Sequence, residues 1–99
     1  MYIIVNTFHA LPGKQLELIG VLRELNALSK KVNGTDVMIL TPVAGKFSEV
    51  KTRWEVESLS RHEENTKKIQ AHADFPALLQ KGAALVVPNT AQTEIYRQV

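Results

Sequence analysis

The sequence predicts an α+β fold with the element order β-α-β-β-α-β, and three observations carry that reading. Four stretches rich in β-branched and aromatic residues and two stretches of helical period follow one another in that order. The turn-forming pairs Pro12-Gly13, Asn33-Gly34 and Ala44-Gly45 fall at the joints between them. The chain is 99 residues long with 44% hydrophobic and 22% charged residues, which suits one core and leaves no room for a second. One domain over residues 1–99 is therefore expected.

Residues 2–10 (YIIVNTFHA) open the chain as a strand that ends before the Pro12-Gly13 breaker. One of its faces is Tyr2, Ile4, Asn6 and Phe8; the other is Ile3, Val5, Thr7 and His9. Both carry large apolar groups, so both are expected to be covered. Residues 14–32 repeat Leu18, Val21, Leu22, Leu25, Leu28 and Val32 at steps of three and four, the signature of an amphipathic helix. Lys30 and Lys31 suit its C-terminal dipole, and Asn33-Gly34 marks its exit. Residues 35–43 predict a second strand around the apolar run Val37 to Leu40, with Pro42 at its end or on a sheet edge. After a short Gly45 turn, residues 47–57 alternate. Val50, Thr52, Trp54 and Val56 share one face, opposite Glu49, Lys51, Arg53, Glu55 and Glu57, and close a hairpin with the second strand.

Ser60, with Glu63 three residues on, predicts a capping box and a second helix to about Ala73. Asp74-Phe75-Pro76 interrupts that helix, and a further helical turn over 77–81 ends at Gly82. Residues 83–88 fit a helix tail or a short strand equally. Residues 92–99 predict the last strand, with Thr93, Ile95 and Arg97 opposite Glu94 and Tyr96.

Right-handed crossovers turn this order into a ferredoxin-like antiparallel sheet, most simply in the order 4-1-3-2, with both helices on one face. The other face then lies open, although the first two strands are apolar on both sides. Covering it is favourable by roughly 25 cal/mol per Å² of apolar surface. A second copy of the same sheet is the simplest cover, so a homodimer through sheet-to-sheet packing is expected.

Composition excludes several functions. There is no cysteine, hence no disulfide, thiol nucleophile or thiolate metal site. A net charge of +2 is too small to imply nucleic acid or an anionic membrane. The longest apolar runs are four or five residues, against about 20 for a membrane span. No basic segment precedes the first apolar run, so a cytoplasmic protein without a signal peptide is expected. Nucleotide-binding glycine motifs, zinc-protease motifs and serine elbows are absent. RNA-recognition domains share this element order but expose aromatics on the third strand, where this chain places Glu49, Lys51, Arg53 and Glu55.

Several segments resemble the NIPSNAP-like and antibiotic-biosynthesis-monooxygenase-like families of the dimeric α+β barrel superfamily. They are Leu11-Pro12-Gly13-Lys14 leading into a helix, and the stretch Arg53-Trp54-Glu55-Val56-Glu57-Ser58-Leu59-Ser60-Arg61-His62-Glu63. Asp74-Phe75-Pro76-Ala77-Leu78-Leu79 and Thr93-Glu94-Ile95-Tyr96-Arg97 complete the set. The resemblance implies sheet-to-sheet dimers with a pocket between sheet and helices in each subunit. It implies no single activity, since such families hold cofactor-free oxygenases, haem-degrading monooxygenases and proteins without known chemistry. Haem-degrading relatives use an Asn on the first strand with a Trp and a His on the second helix. Asn6 stands at the first position, Asn65 near the second, and His72 falls out of line with the third, so no cofactor is expected. Asn6, Trp54, Tyr96 and Arg97 partly echo the residues around the ring of a cofactor-free oxygenase.

The second helix carries the candidate chemistry. Its inward stripe is His62, Asn65 or Thr66, Ile69, His72 and Ala73, too polar for a helix that only packs on a sheet. The expected site is a pocket for a small-molecule ligand walled by Phe8, Trp54 and Ile69, with Asn65 beside them and Asn6, His62 and His72 as polar, catalytic groups. A histidine there suits general-base removal of a proton from an acidic C–H or a phenol. Joint metal binding by His62 and His72 is not expected, because ten residues of helix separate them by about 15 Å. The non-enzymatic alternative is a dimer that binds a ligand or a protein.

Overall fold

The computed structural model describes residues 1–99. Its elements are β1 (Tyr2–His9), α1 (Gln15–Asn33), β2 (Met38–Leu40), β3 (Glu49–Val56), α2 (Leu59–Gln70), α3 (Phe75–Ala83) and β4 (Gln92–Arg97). The four strands form one antiparallel sheet in the order β2-β3-β1-β4, the ferredoxin-like order expected from the sequence. No helix is long and apolar enough to cross a membrane.

Register decides which side chains share a face. Tyr2, Ile4, Asn6 and Phe8 stand opposite Val56, Trp54, Thr52 and Val50 of β3. Asn6 and Ile4 stand opposite Thr93 and Ile95 of β4. This inner face lies under the helices. Ile4 and Val50 are fully buried there, and Leu18 of α1 is 1% exposed above them. Ala10, Leu18, Leu22 and Val50 form the centre of the core, with Phe8, Leu25 and Ile39 packed around it. The outer face carries Ile3, Val5, Thr7 and His9, flanked by Lys51, Arg53, Met38, Leu40, Glu94 and Tyr96.

Helix α1 follows its period closely and buries Leu18, Val21, Leu22 and Leu28. It stops at Gly34, whose φ of 69° is the left-handed conformation that glycine adopts at least cost, and whose N–H donates to Lys30 O.

Several boundaries differ from expectation. Strand β2 has three residues, not the nine from 35 to 43. Pro42 has no N–H for the ladder, so pairing ends at Leu40, and a wide loop over 41–48 replaces the short hairpin turn. That loop is tied to α1 by Gln15 Nε2, which donates to Phe47 O at 2.8 Å. The N-cap of α2 is Ser58 rather than Ser60: its backbone is extended and its hydroxyl accepts from Arg61 N at 3.0 Å. Helix α2 ends at Gln70, before His72 and Ala73, and α3 is a nine-residue helix that continues past Gly82. Residues 84–87 form a turn and a single bridge from Val86 to Ala10, neither helix tail nor strand.

Candidate functional site

Helix α2 has no fully buried residue, whereas α1 has four. Its inner stripe of His62, Asn65, Thr66 and Ile69 is half-buried throughout. A polar stripe facing a sheet does not close onto it, because each amide or imidazole would lose its hydrogen bonds to water. The result is a cleft of about 230 Å³ between the inner face of the sheet and the facing sides of α1 and α2.

The floor of the cleft comes from β1 and β3: Asn6, Phe8, Thr52 and Trp54. One wall is α1, from Leu22 and Leu25 to Asn33, and the other is α2, with His62, Asn65, Thr66 and Ile69. Phe75, the first residue of α3, closes an end. Of the seven site residues expected from the sequence, six meet here: Asn6, Phe8, Trp54, His62, Asn65 and Ile69. His72 does not. It lies beyond the last turn of α2, where its Nδ1 accepts from Asp74 N at 3.1 Å and so joins α2 to α3. Tyr96 lies on the outer face, and Arg97 sits over the Tyr2 ring at 5.7 Å; neither lines the cleft. His9 is on the outer face, across the sheet from His62. No three His, Asp or Glu side chains come together as a metal set would require.

The polar groups of the cleft are individually oriented. Thr93 Oγ1 donates to Asn6 Oδ1 at 2.6 Å, which leaves the Asn6 amide nitrogen as the donor free for a ligand. The His62 carbonyl accepts from Thr66 Oγ1 at 2.9 Å. Its imidazole makes no hydrogen bond within the chain and lies 6.1 Å from the Trp54 ring, tilted by 46°. Asn33 Nδ2 donates to Asn65 O at 3.1 Å, which ties the end of α1 to the middle of α2. His62 is the one titratable side chain in the lining, which holds no Asp, Glu, Lys or Arg.

Sequence reasoning did not name Asn33, Leu25 or Phe75 as lining residues. Asn33 reads as a helix-exit signal beside Gly34, and Phe75 as part of the break before α3; only the approach of α1 to α2 turns both toward one space.

A ferredoxin-like α+β domain with a cleft between sheet and helices is thus the class that fold and site define. Solved structures share it over nearly their whole length. A NIPSNAP family protein with unknown function from Agrobacterium tumefaciens superposes with a TM-score of 0.83 at 20% identity, over 97% of this chain and 86% of that one. An uncharacterized NIPSNAP domain protein from Burkholderia xenovorans gives 0.85 at 12% identity, over 100% and 95%. SnoaB from Streptomyces nogalater, a cofactor-independent oxygenase, gives 0.73 at 14% identity, over 98% and 91%. At these identities the likeness is one of fold, and at that level it matches the resemblance expected from the sequence. No protein-family model matches the chain, and no curated protein matches it by sequence.

A cleft of about 230 Å³ falls below the range of about 300–1,000 Å³ usual for drug-sized ligands, which favours one or two fused rings. A tetrapyrrole is larger than that, and His72, already out of line with a haem ligand in the sequence, is engaged outside the cleft. The residues present do not fit haem.

Proposed function

We propose that the whole chain is one NIPSNAP-like domain, that two copies pair sheet to sheet, and that the cleft of each takes a small planar substrate for cofactor-independent oxygenation. The cleft is the observation that carries this reading. Trp54, Phe8 and Ile69 offer faces for a ring, and His62 is the single group able to accept a proton there. In this scheme His62 removes a proton from an acidic C–H or phenol, and the Asn6 amide donates to the oxygen on which negative charge develops. The carbanion then passes an electron to molecular oxygen, and the radical pair joins through a new C–O bond; with the proton returned from His62 the hydroperoxide loses water, so that one oxygen atom stays as a carbonyl, the other leaves as water, and O2 itself is the oxidant. The oxygenase activity named for SnoaB, on the same fold, supports the same direction.

Pairing is supported by the outer face. Only 10 of the 99 residues are buried in the single chain, a small core for this length. Meanwhile Met38 and Leu40 on β2 and Tyr96 on β4 stand 53%, 39% and 50% exposed on the face that also carries Ile3 and Val5. A two-fold pairing of these faces removes that surface from water.

The test is turnover of one- and two-ring hydroxyquinone substrates under oxygen. His62→Ala is expected to lower the rate by about 10²- to 10⁴-fold, and Trp54→Phe to raise KM with a smaller effect on kcat. Turnover indifferent to both changes removes this site. The second reading, a binding-only dimer, is favoured by the lack of any carboxylate or other partner orienting the His62 imidazole. Ligand retained by the cleft with no turnover in the native protein would select it.

A further inference from the structure

Two of the ten buried residues are polar, Thr7 and Thr52, at 3% and 4% exposure. Burying a hydroxyl costs free energy unless it finds a partner. The two stand on opposite faces of the sheet and are served differently. On the outer face, Thr7 Oγ1 accepts from Lys51 Nζ at 2.9 Å. On the inner face, the Thr52 hydroxyl makes no hydrogen bond within the chain. It is not sealed off either, because Asn33 Oδ1 is the one fully buried side-chain polar atom without a partner. The Thr52 hydroxyl therefore keeps open surface, and the space that Thr52 lines is the cleft. Packing does not call for a hydroxyl at this position, since Val50 and Val56 fill the same face as buried valines.

Register sets what Thr52 does. It stands directly opposite Asn6, which places the two Cβ atoms about 4.5–5.5 Å apart, and Asn6 in turn stands opposite Thr93. This polar row crosses the floor of the cleft between Trp54 and Phe8. Thr93 occupies Asn6 Oδ1 and leaves the amide nitrogen as the free donor. The Thr52 hydroxyl beside it supplies a second one. The lining holds no Lys or Arg, so apart from His62 only neutral donors stabilise negative charge there. We infer that Thr52 is a second catalytic donor, which with Asn6 forms a two-point site for the oxygen on which negative charge develops. A hydroxyl that the fold does not use is free to turn to that oxygen, and two donors already in place hold the anion while His62 holds the proton. This rests on the proposed use of the cleft as a small-molecule site, and goes beyond it by giving a new residue a defined duty.

The experiment uses 4-nitrophenol as a stand-in for the developing oxyanion. Its anion is coloured, so the ionisation of the bound molecule is read from absorbance against pH. Its place in the cleft is checked by the NMR shift of the indole N–H of Trp54, the one tryptophan in the chain. Two variants isolate the hydroxyl: Thr52→Val removes it at nearly constant shape, and Thr52→Ser keeps it. Thr52→Val is expected to raise the pKa of bound 4-nitrophenol by about one unit, tenfold in the ionisation constant, and Thr52→Ser to bring it back. Thr52→Val should also resist urea at least as well as the native chain, because no hydrogen bond of the fold is lost. A bound pKa unmoved by Thr52→Val, with Trp54 still shifted, overturns the inference while the cleft reading stands. A rise that Thr52→Ser does not reverse, or a Thr52→Val chain weakened in urea, assigns Thr52 to packing and overturns it equally. If 4-nitrophenol leaves Trp54 unmoved in the native protein, the small-molecule reading of the cleft fails and the inference falls with it.

Discussion

The inner and outer faces of the sheet are made from the same strands and reach very different ends. On β1, Ile4 faces inward and is fully buried, whereas its neighbours Ile3 and Val5 face outward and are half-covered. Strand propensity and hydrophobicity are alike at these three positions, so the difference comes from what lies above each face. The inner face has α1 and its leucines. The outer face has only side chains from its own sheet, and these lie down across it. Lys51 Nζ donates to Thr7 Oγ1 at 2.9 Å, and Thr7 is left only 3% exposed. Arg53 pairs with Glu55 at 3.3 Å, both side chains still partly in water. The charged row of Lys51, Arg53 and Glu55 on β3 thus runs between two apolar strips, Ile3 and Val5 on β1 and Met38 and Leu40 on the β2 edge. A partner laid over this face has to pair those charges as well as cover the apolar strips.

The inner face itself divides. Beneath the first turns of α1, around Leu18, it is solid; between the later turns of α1 and α2 it holds the cleft. The largest expected effect tests this division. Leu18→Ala should cost about 2–5 kcal/mol in urea unfolding, because Leu18 is 1% exposed and its removal leaves a void that the core cannot fill. Ile69→Ala, at the cleft, should cost about 1 kcal/mol or less, since one side of Ile69 already meets open space. Equal costs would mean that α2 is packed as tightly as α1 and that the cleft is closed in solution.

A somewhat smaller effect separates the two faces. Val5→Glu places a carboxylate at the centre of the outer face, opposite Arg53 in the β3 register. A single chain accommodates it, because the face is open and Arg53 on one side offsets Glu94, its cross-strand neighbour on the other. A sheet-to-sheet pair does not, because the charge is desolvated twice, once in each copy. Sedimentation should show self-association weakened by about 100-fold, or roughly 3 kcal/mol, with the unfolding curve of the separated chain little changed. Native protein that sediments as single chains at micromolar concentration would leave this face uncovered and remove the pairing.

Much of this was legible in the sequence, and the parts that were not share a cause. β-Branched and aromatic composition before a breaker located β1, helical period located α1, and alternation assigned Val50, Thr52, Trp54 and Val56 to one face, because burial repeats at the spacing of the element that produces it. His62, Asn65 and Ile69 followed from one anomaly, a helix too polar for its position, and Asn6, Phe8 and Trp54 from the shared face of two neighbouring strands. Boundaries fared worse where two local signals competed. Ser58 and Ser60 both suit an N-cap, and Glu63 favoured Ser60, but the chain is already helical at Leu59. His72 was projected along a helix that ends two residues before it, so its direction could not be inferred from helical spacing. Asn33 escaped because its role depends on the distance between two helices, which one element's pattern does not encode.

The smallest effect sits at the edge of the outer face. Tyr96 O–H donates to the Glu94 carboxylate at 2.6 Å. That hydrogen bond, and the negative charge that accepts it, hold the Tyr96 phenol above its ordinary pKa of 10.0. The folded chain therefore keeps a proton that the unfolded chain releases at lower pH. The associated stabilisation is complete below the unfolded value and is lost as pH rises through the folded one, so it bears only on strongly alkaline conditions. Glu94→Gln keeps an acceptor but removes the charge, and should bring the Tyr96 titration, followed by NMR of the labelled ring, back toward the ordinary value. The same titration reads the outer face. Tyr96 is 50% exposed in the single chain, and a partner sheet laid over it excludes water and further disfavours the phenolate. The native protein at high concentration should then titrate above the Val5→Glu variant. Identical midpoints in the two would mean that Tyr96 stays wet in both, which places the edge of any sheet-to-sheet contact inside β4, on Ile3, Val5 and the Met38 side of the sheet.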